Sequence, residues 1–182
     1  MKIDDFIFDV TNQKVSWSYN GQAIVIRHEE MIFASVSNEK DFLYIECGKD
    51  FIYDIRYIYN PEGQLEFCIN KKEGIVQWKS QDGMTELTQQ GIDDAKLYPS
   101  SNIVVAISFD ENIQRLTVYD LRGSVISEKI LGDDLNFMYL SELKGLPSVV
   151  CTNNFPDQYG RNSWHFLVTP HTGELTKAGV AY

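Results

Sequence analysis

The stretch Val118-Tyr119-Asp120-Leu121-Arg122-Gly123-Ser124-Val125-Ile126 sets a polar turn between two apolar runs. Asp at the first turn position caps the turn with its side chain, and Gly at the fourth takes a left-handed conformation at little steric cost. This is the pattern of a type I turn closed by a glycine bulge, a common way to join two antiparallel strands. Related turns occur elsewhere. Asn60-Pro61-Glu62-Gly63 adds a proline that presets φ at the second position, and Pro170-His171-Thr172-Gly173 is a weaker copy. Asn20-Gly21 fits a two-residue type I′ turn.

All four turns are flanked by β-branched or alternating apolar residues, as in Arg115–Asp120 and Leu65–Asn70. Their glycines fall at intervals of roughly 40 to 60 residues, near the spacing of a repeated β unit. The strand candidates form four groups. The first holds DFIFDV, KVSWSY, QAIVIR and MIFASV, and the second DFLYIEC, YDIRYIYN, QLEFCIN and GIVQWKS. The third holds AKLYP, NIVVAISF, QRLTVYD and SVISEKI, and the fourth LNFMYLSEL, PSVVCT, SWHFLVT and ELTKAGV. The expectation is one all-β domain over residues 1–182, with approximate repeats at 1–37, 38–80, 93–132 and 133–182. The polar segment SQDGMTELTQQGIDDAK, from Ser80, is expected to be an insertion loop. Helical signals are few: Gly91 interrupts the spacing in TELTQQGIDDAKL, and SELKGL, from Ser141, has the length of one helical turn.

The order of short strand, polar turn, long apolar strand and tight hairpin resembles the blades of β-propellers of the WD40 type. The resemblance implies a small propeller or a stack of antiparallel sheets, with a β-sandwich as the alternative that the same hairpins would build. The Trp-Asp and Gly-His dipeptides of WD40 blades do not occur here.

Composition narrows the function. The chain has 182 residues, 43 % hydrophobic and 13 % aromatic, which suits a packed β domain. No apolar run approaches the ~18 residues of a membrane helix. The opening MKIDDFIFDV lacks the features of a secretory signal. A cytoplasmic location follows as the expectation. Cys47, Cys68 and Cys151 are odd in number and widely spaced, which fits neither a disulfide framework nor a zinc site. They read as small buried apolar residues. No cofactor or metal is expected. The net charge of −10 opposes nucleic acid and anionic membranes and favours a basic protein as partner.

No nucleophile elbow, phosphate loop or calcium loop is present. His28, in RHEE, lacks the second histidine of a helical zinc site and reads as a charged hairpin tip joining QAIVI to MIFASV. His171 lies in a turn and reads as solvated. His165 follows the long polar loop TNNFPDQYGRNS, where Asp157, Tyr159, Arg161 and His165 are candidates to converge. Asp157 with His165 is the sharpest acid–base pair, and a hydrolase or lyase with its site in residues 153–165 is the enzymatic alternative. Trp17, Trp78 and Trp164 alternate within strands and read as core.

Carboxylate pairs fall where strands should end, among them Asp93-Asp94 and Asp133-Asp134. Read structurally, they form a solvated rim. Read functionally, Asp93, Asp94, Asp133, Asp134, Asp157 and Tyr159 form an acidic, aromatic face for a basic partner. In size, charge and lack of a catalytic signature the chain is similar to bacterial toxin-immunity proteins. That likeness implies a non-catalytic inhibitor of a basic toxin such as a nuclease.

Overall fold

The computed structural model describes residues 2–111, 113–131 and 135–181. The fold is all-β, built from antiparallel sheets, none of which closes into a barrel. Helix among the described residues is limited to one 3-10 turn, Pro99–Ser101. The chain forms two compact units, residues 1–86 and 87–182.

The first unit holds two sheets. One is the three-stranded meander β1 (Asp4–Asp9), β2 (Lys14–Tyr19) and β3 (Gln22–Arg27). The other runs in chain order through β4 (Met31–Val36), β5 (Leu43–Lys49), β6 (Ile52–Tyr59), β7 (Leu65–Asn70), β8 (Ile75–Ser80) and β9 (Gly83–Thr88), the last of which crosses the boundary between units. β2 shows why the three-stranded sheet has one wet face. In KVSWSY, Val15 and Trp17 are buried while Lys14, Ser16 and Ser18 alternate with them on the opposite face. Val15 and Trp17 pack with Leu43, Ile45 and Cys47 of β5, so the two sheets share one core. The indole N–H of Trp17 donates to the Pro61 carbonyl at 2.7 Å, which satisfies its only polar atom.

The second unit holds two four-stranded meanders. One is β10 (Ile92–Tyr98), β11 (Ile103–Asp110), β12 (Ile113–Asp120) and β13 (Val125–Ile130). The other is β14 (Leu135–Leu143), β15 (Leu146–Asn153), β16 (Ser163–Val168) and β17 (Leu175–Val180). In β11 the run Ile103–Ser108 is buried at every position, so the strand is covered on both faces, as its unbroken apolar sequence requires. Ile103, Val105 and Ile107 share a core with Phe137, Val149 and Cys151 of the last sheet.

Tight turns carry the meanders, and their bonds are the same from copy to copy. Asn60 Oδ1 accepts from the N–H of Glu62 and Gln64, and Asp120 Oδ1 from the N–H of Arg122 and Ser124. In both, the glycine N–H returns to the carbonyl of the first residue. The later turn is one residue longer than the sequence pattern suggests, with Gly173 N–H donating to the Thr169 carbonyl. Gly63 and Gly173 also sit where no side chain fits. A Cβ on Gly63 would lie 2.8 Å from Ile24 Cγ2, with the Trp17 ring beyond it, and one on Gly173 would meet Ser127 and Val118. In each unit, then, the turn between the third and fourth strands of one sheet seats on the last two strands of the sheet before it.

Several expectations are corrected. β4 does not belong to the first group, and the division at residue 37 is misplaced: β4 pairs with β5, Ala34 opposite Ile45. The RHEE segment is therefore a crossover between sheets and not a hairpin tip. The backbone of β4 is taken up by the β5 ladder, with the Glu30 carbonyl accepting from Gly48 N–H at its start, and His28 in the crossover stacks on Tyr57 of β6 at 4.0 Å. The expected insertion loop supplies β9 and β10 instead. SELKGL is not helical: Lys144 and Gly145, at φ 54° and 76°, make a two-residue reversal between β14 and β15.

Candidate functional site

The loop from Asn153 to Asn162 is shaped by a third copy of the capped turn. Asp157 Oδ1 accepts from the N–H of Tyr159 and Arg161 at 2.8 and 3.0 Å, and Gly160 N–H donates to the Asp157 carbonyl at 2.9 Å. Asp157-Gln158-Tyr159-Gly160 is thus the counterpart of Asp120–Gly123. The spacing of Asp and Gly was the signal in the sequence, hidden because no strand-like run precedes it. Asp157 Oδ2 takes Arg161 Nε at 2.9 Å and Nη2 at 2.8 Å. This two-pronged pair, with the turn N–H groups, holds the Asp157 carboxyl below the usual carboxylate range.

Asp157 and His165 do not form the expected acid–base pair. His165 stands on β16 opposite Val150, and its Nδ1 lies 3.2 Å from Ser148 Oγ. Ser148 is fully buried, which leaves its hydroxyl no approach for a substrate. Asp157 is ionised, bound on both oxygens, and engaged in holding the loop. Around Asp157 the geometry is that of a braced loop, its carboxylate held by Arg161 and by the turn N–H groups.

What the loop does assemble is a ladder of cations and rings. The Arg161 guanidinium lies 4.7 Å from the Tyr159 ring centre and 5.3 Å from that of Trp164. Lys177 of β17 places Nζ 3.5 Å from the Trp164 centre. Tyr159 is 71 % exposed, and Phe155 on the same loop is 70 % exposed. Trp164 is therefore not a core residue like Trp17 and Trp78, which are buried. Lys177 escaped the sequence reading because the register that sets it on Phe166, beside a bulge, is decided by β16–β17 pairing.

The acidic pairs fare unequally. Asp93 and Asp94 are not at a strand end; both lie inside β10. Asp94 is buried, and its Oδ2 accepts the Leu140 N–H of β14 at 2.9 Å, so it joins two sheets instead of meeting a partner. Register explains this: beyond the bulge between Ile92 and Asp94, Asp94 stands opposite Ile107 and Tyr98 opposite Ile103, so Asp94 shares the core-facing side of the strand with Tyr98. Asp93 is half-buried. Asp133 and Asp134 lie outside the described residues.

A second polar cluster escaped the sequence reading. His28 Nε2 meets Tyr59 Oη at 2.8 Å, and burial lowers the His28 pKa. Burial likewise pushes the Tyr57 hydroxyl up to about 12 and the Tyr59 hydroxyl higher still. The thiols of Cys47, Cys68 and Cys151 are buried and raised to about 11, 12 and 12, mainly by desolvation, so they remain protonated and packed. Among the described residues no three His, Cys, Asp or Glu side chains converge to hold a metal ion. The recess beside Tyr98, Pro99 and Glu142 has room for little more than a water molecule.

No family model matches the chain, and no curated protein matches it. Solved structures are similar over nearly its whole length at low identity. A eukaryotic initiation factor shares 13 % identity at a TM-score of 0.45, covering 97 % of this chain and 54 % of that one. A protein of unknown function from Desulfotomaculum acetoxidans shares 10 % identity at 0.38, covering 98 % and 50 %. KlHsv2 with its loop 6CD replaced by a Gly-Ser linker shares 13 % identity at 0.39, covering 97 % and 70 %. The chain spans about half the length of the first two.

Proposed function

We propose that this protein is a non-catalytic binding domain with blade-like sheets, whose acidic surface docks a basic protein, and that an inhibitor of a cationic toxin such as a nuclease is the role it fits best. The observation that carries this is the loop of residues 153–162. Two aromatic side chains stand exposed on a backbone pinned by Asp157 and Arg161, in a chain of net charge −10. Rigid exposed aromatics are the anchors of protein interfaces, and the overall field draws in cationic partners. Carboxylates of the inhibitor would occupy the place of nucleic acid in such a toxin. Steering would set the rate of association, and the aromatic anchors would slow release.

The test is capture of the partner from the host, followed by stopped-flow association with the purified pair. A basic partner is expected, with an association rate that falls as salt rises and a Tyr159→Ala variant that releases faster. A rate indifferent to salt, or an unchanged release rate for both Tyr159→Ala and Phe155→Ala, refutes the reading.

A further inference from the structure

Asn20-Gly21 is the one Asn-Gly pair in the sequence, and it makes the whole connection between β2 and β3, with Tyr19 opposite Gln22. Both residues have positive φ, 51° and 74°, the signature of a type I′ turn. Both are exposed, and a Cβ on Gly21 would meet nothing within 4 Å. The Asn20 side chain holds no hydrogen bond among the described residues. Other asparagines are tied. Asn60 Oδ1 caps its turn, Asn12 Nδ2 donates to Asp9 at 2.8 Å, and Asn70 Nδ2 donates to Glu73 at 3.1 Å. Asn162, followed by Ser163, accepts from the Ser163 hydroxyl at 3.3 Å. Asn20 alone combines a free carboxamide with a following nitrogen that no side chain obstructs.

We infer that Asn20 is a site of self-modification, in which the Gly21 nitrogen displaces the Asn20 amide when the hairpin tip opens. The nitrogen bonds to Asn20 Cγ, the Cγ–Nδ2 bond breaks, and Nδ2 leaves as ammonia with the proton that the Gly21 nitrogen gives up. The product is a cyclic succinimide. Water then adds to one of its two carbonyls and opens the ring to aspartate, or to isoaspartate, in which the backbone runs through the side chain. The closed turn holds this chemistry back. A type I′ turn has ψ of about +30° at its first central residue, which sets the next nitrogen almost opposite Cβ across the Cα–C bond. Ring closure needs that nitrogen on the same side as Cβ, so ψ must rotate by roughly 150° and the turn must open. β3 makes such opening accessible: it pairs only with β2 among the described residues, and its Gln22, Ala23 and Val25 are exposed. The two products differ in consequence. Aspartate suits the first place of this turn as asparagine does. Isoaspartate lengthens the backbone by a methylene, which breaks the register of Tyr19 on Gln22 and loosens the strands that carry Trp17 and Ile24, the seat of the Gly63 turn.

The test incubates the full chain at mildly alkaline pH in water enriched in oxygen-18, beside a synthetic peptide of residues 16–24. Timed samples are digested and read by mass spectrometry, with electron-transfer fragmentation to tell isoaspartate from aspartate. Asn20 is expected to convert before any other asparagine, Asn162 included, and to give both products, each carrying the heavy oxygen. In the folded chain the conversion should run roughly ten- to a hundredfold slower than in the peptide, the factor for local opening of an exposed hairpin tip. Insertion of a second glycine after Gly21 removes the two-residue constraint and should bring the rate toward that of the peptide. Asn20→Asp should melt with the unmodified chain, whereas the isolated isoaspartate form should melt lower. Earlier conversion of another asparagine, or an Asn20 still intact after about a hundred times the half-time of the peptide, overturns the site. Conversion at the peptide's rate, or a glycine insertion without effect, overturns the hold of the turn. Equal melting of the isoaspartate form overturns its link to the pairing of β2 with β3.

Discussion

Replacing Gly63 by alanine separates two effects that one residue combines. Its φ of 79° lies in the left-handed region, where an L side chain costs about 1–2 kcal/mol. The new Cβ would also lie 2.8 Å from Ile24 Cγ2, and forcing an extra methyl into a packed contact costs about 1–3 kcal/mol. Together these predict a loss of roughly 2–5 kcal/mol. Gly160 is the control. Its φ is 77°, and a Cβ there meets nothing within 4 Å, so Gly160→Ala should lose only the backbone share. Urea unfolding of the full chain, followed by circular dichroism and tryptophan fluorescence, gives both values. Ile24→Ala removes the methyl that clashes, so Gly63→Ala should be milder in that background by the packing share. If Gly63→Ala is no worse than Gly160→Ala, or is unchanged beside Ile24→Ala, the seating of this turn on β2 and β3 is not a source of stability.

His28 gives a pH test. Burial lowers its folded pKa below the unfolded value, so the unfolded chain binds the extra proton first. The stability from neutral His28 is complete above the unfolded pKa, ~6.5, and is lost as pH falls through the folded pKa. His28→Phe should keep the stack on Tyr57 and flatten this part of the pH profile in thermal melts. Asp157 works in the same direction at lower pH: its pairing with Arg161 is lost as pH falls through a depressed carboxyl pKa, and the protection of the Tyr159 and Arg161 amides, relative to their intrinsic exchange rates, should then fall. Arg161→Met should move that transition toward the ordinary carboxylate range, read by carbon-13 titration of Asp157. Tyr98 Oη donates to the Ser141 carbonyl at 2.8 Å, and Tyr98→Phe should destabilise by about 0.5–1.5 kcal/mol in denaturant melts.

Local chemistry decided the strands and most of the turns, and these were legible in the residues themselves. Alternation in KVSWSY, the unbroken run in IVVAIS and the Asn or Asp with Gly three residues on each act within a few residues of chain. They point to strands and reversals whatever surrounds them. The turn at Asp157 follows the same rule, with Gly160 three residues on, but no strand-like run leads directly into it, so its flanks do not mark it as a reversal. Where strands were assigned to sheets, the neighbouring residues were not enough. QAIVIR and MIFASV look like the arms of a hairpin, yet MIFASV pairs with Leu43–Lys49 in the next sheet, and His28 between them stacks on Tyr57, far off in sequence.

The chain by itself determined an antiparallel β protein with no catalytic signature and an excess of negative charge, because periodicity, turn chemistry and net charge are sums over local residues. Only the tertiary structure decided that Asp94 is an internal link while Asp157 is a brace, and that Trp164 stands between Arg161 and Lys177. Those outcomes turn on register and bulges, and a shift of one residue in a strand sends a side chain from solvent to core.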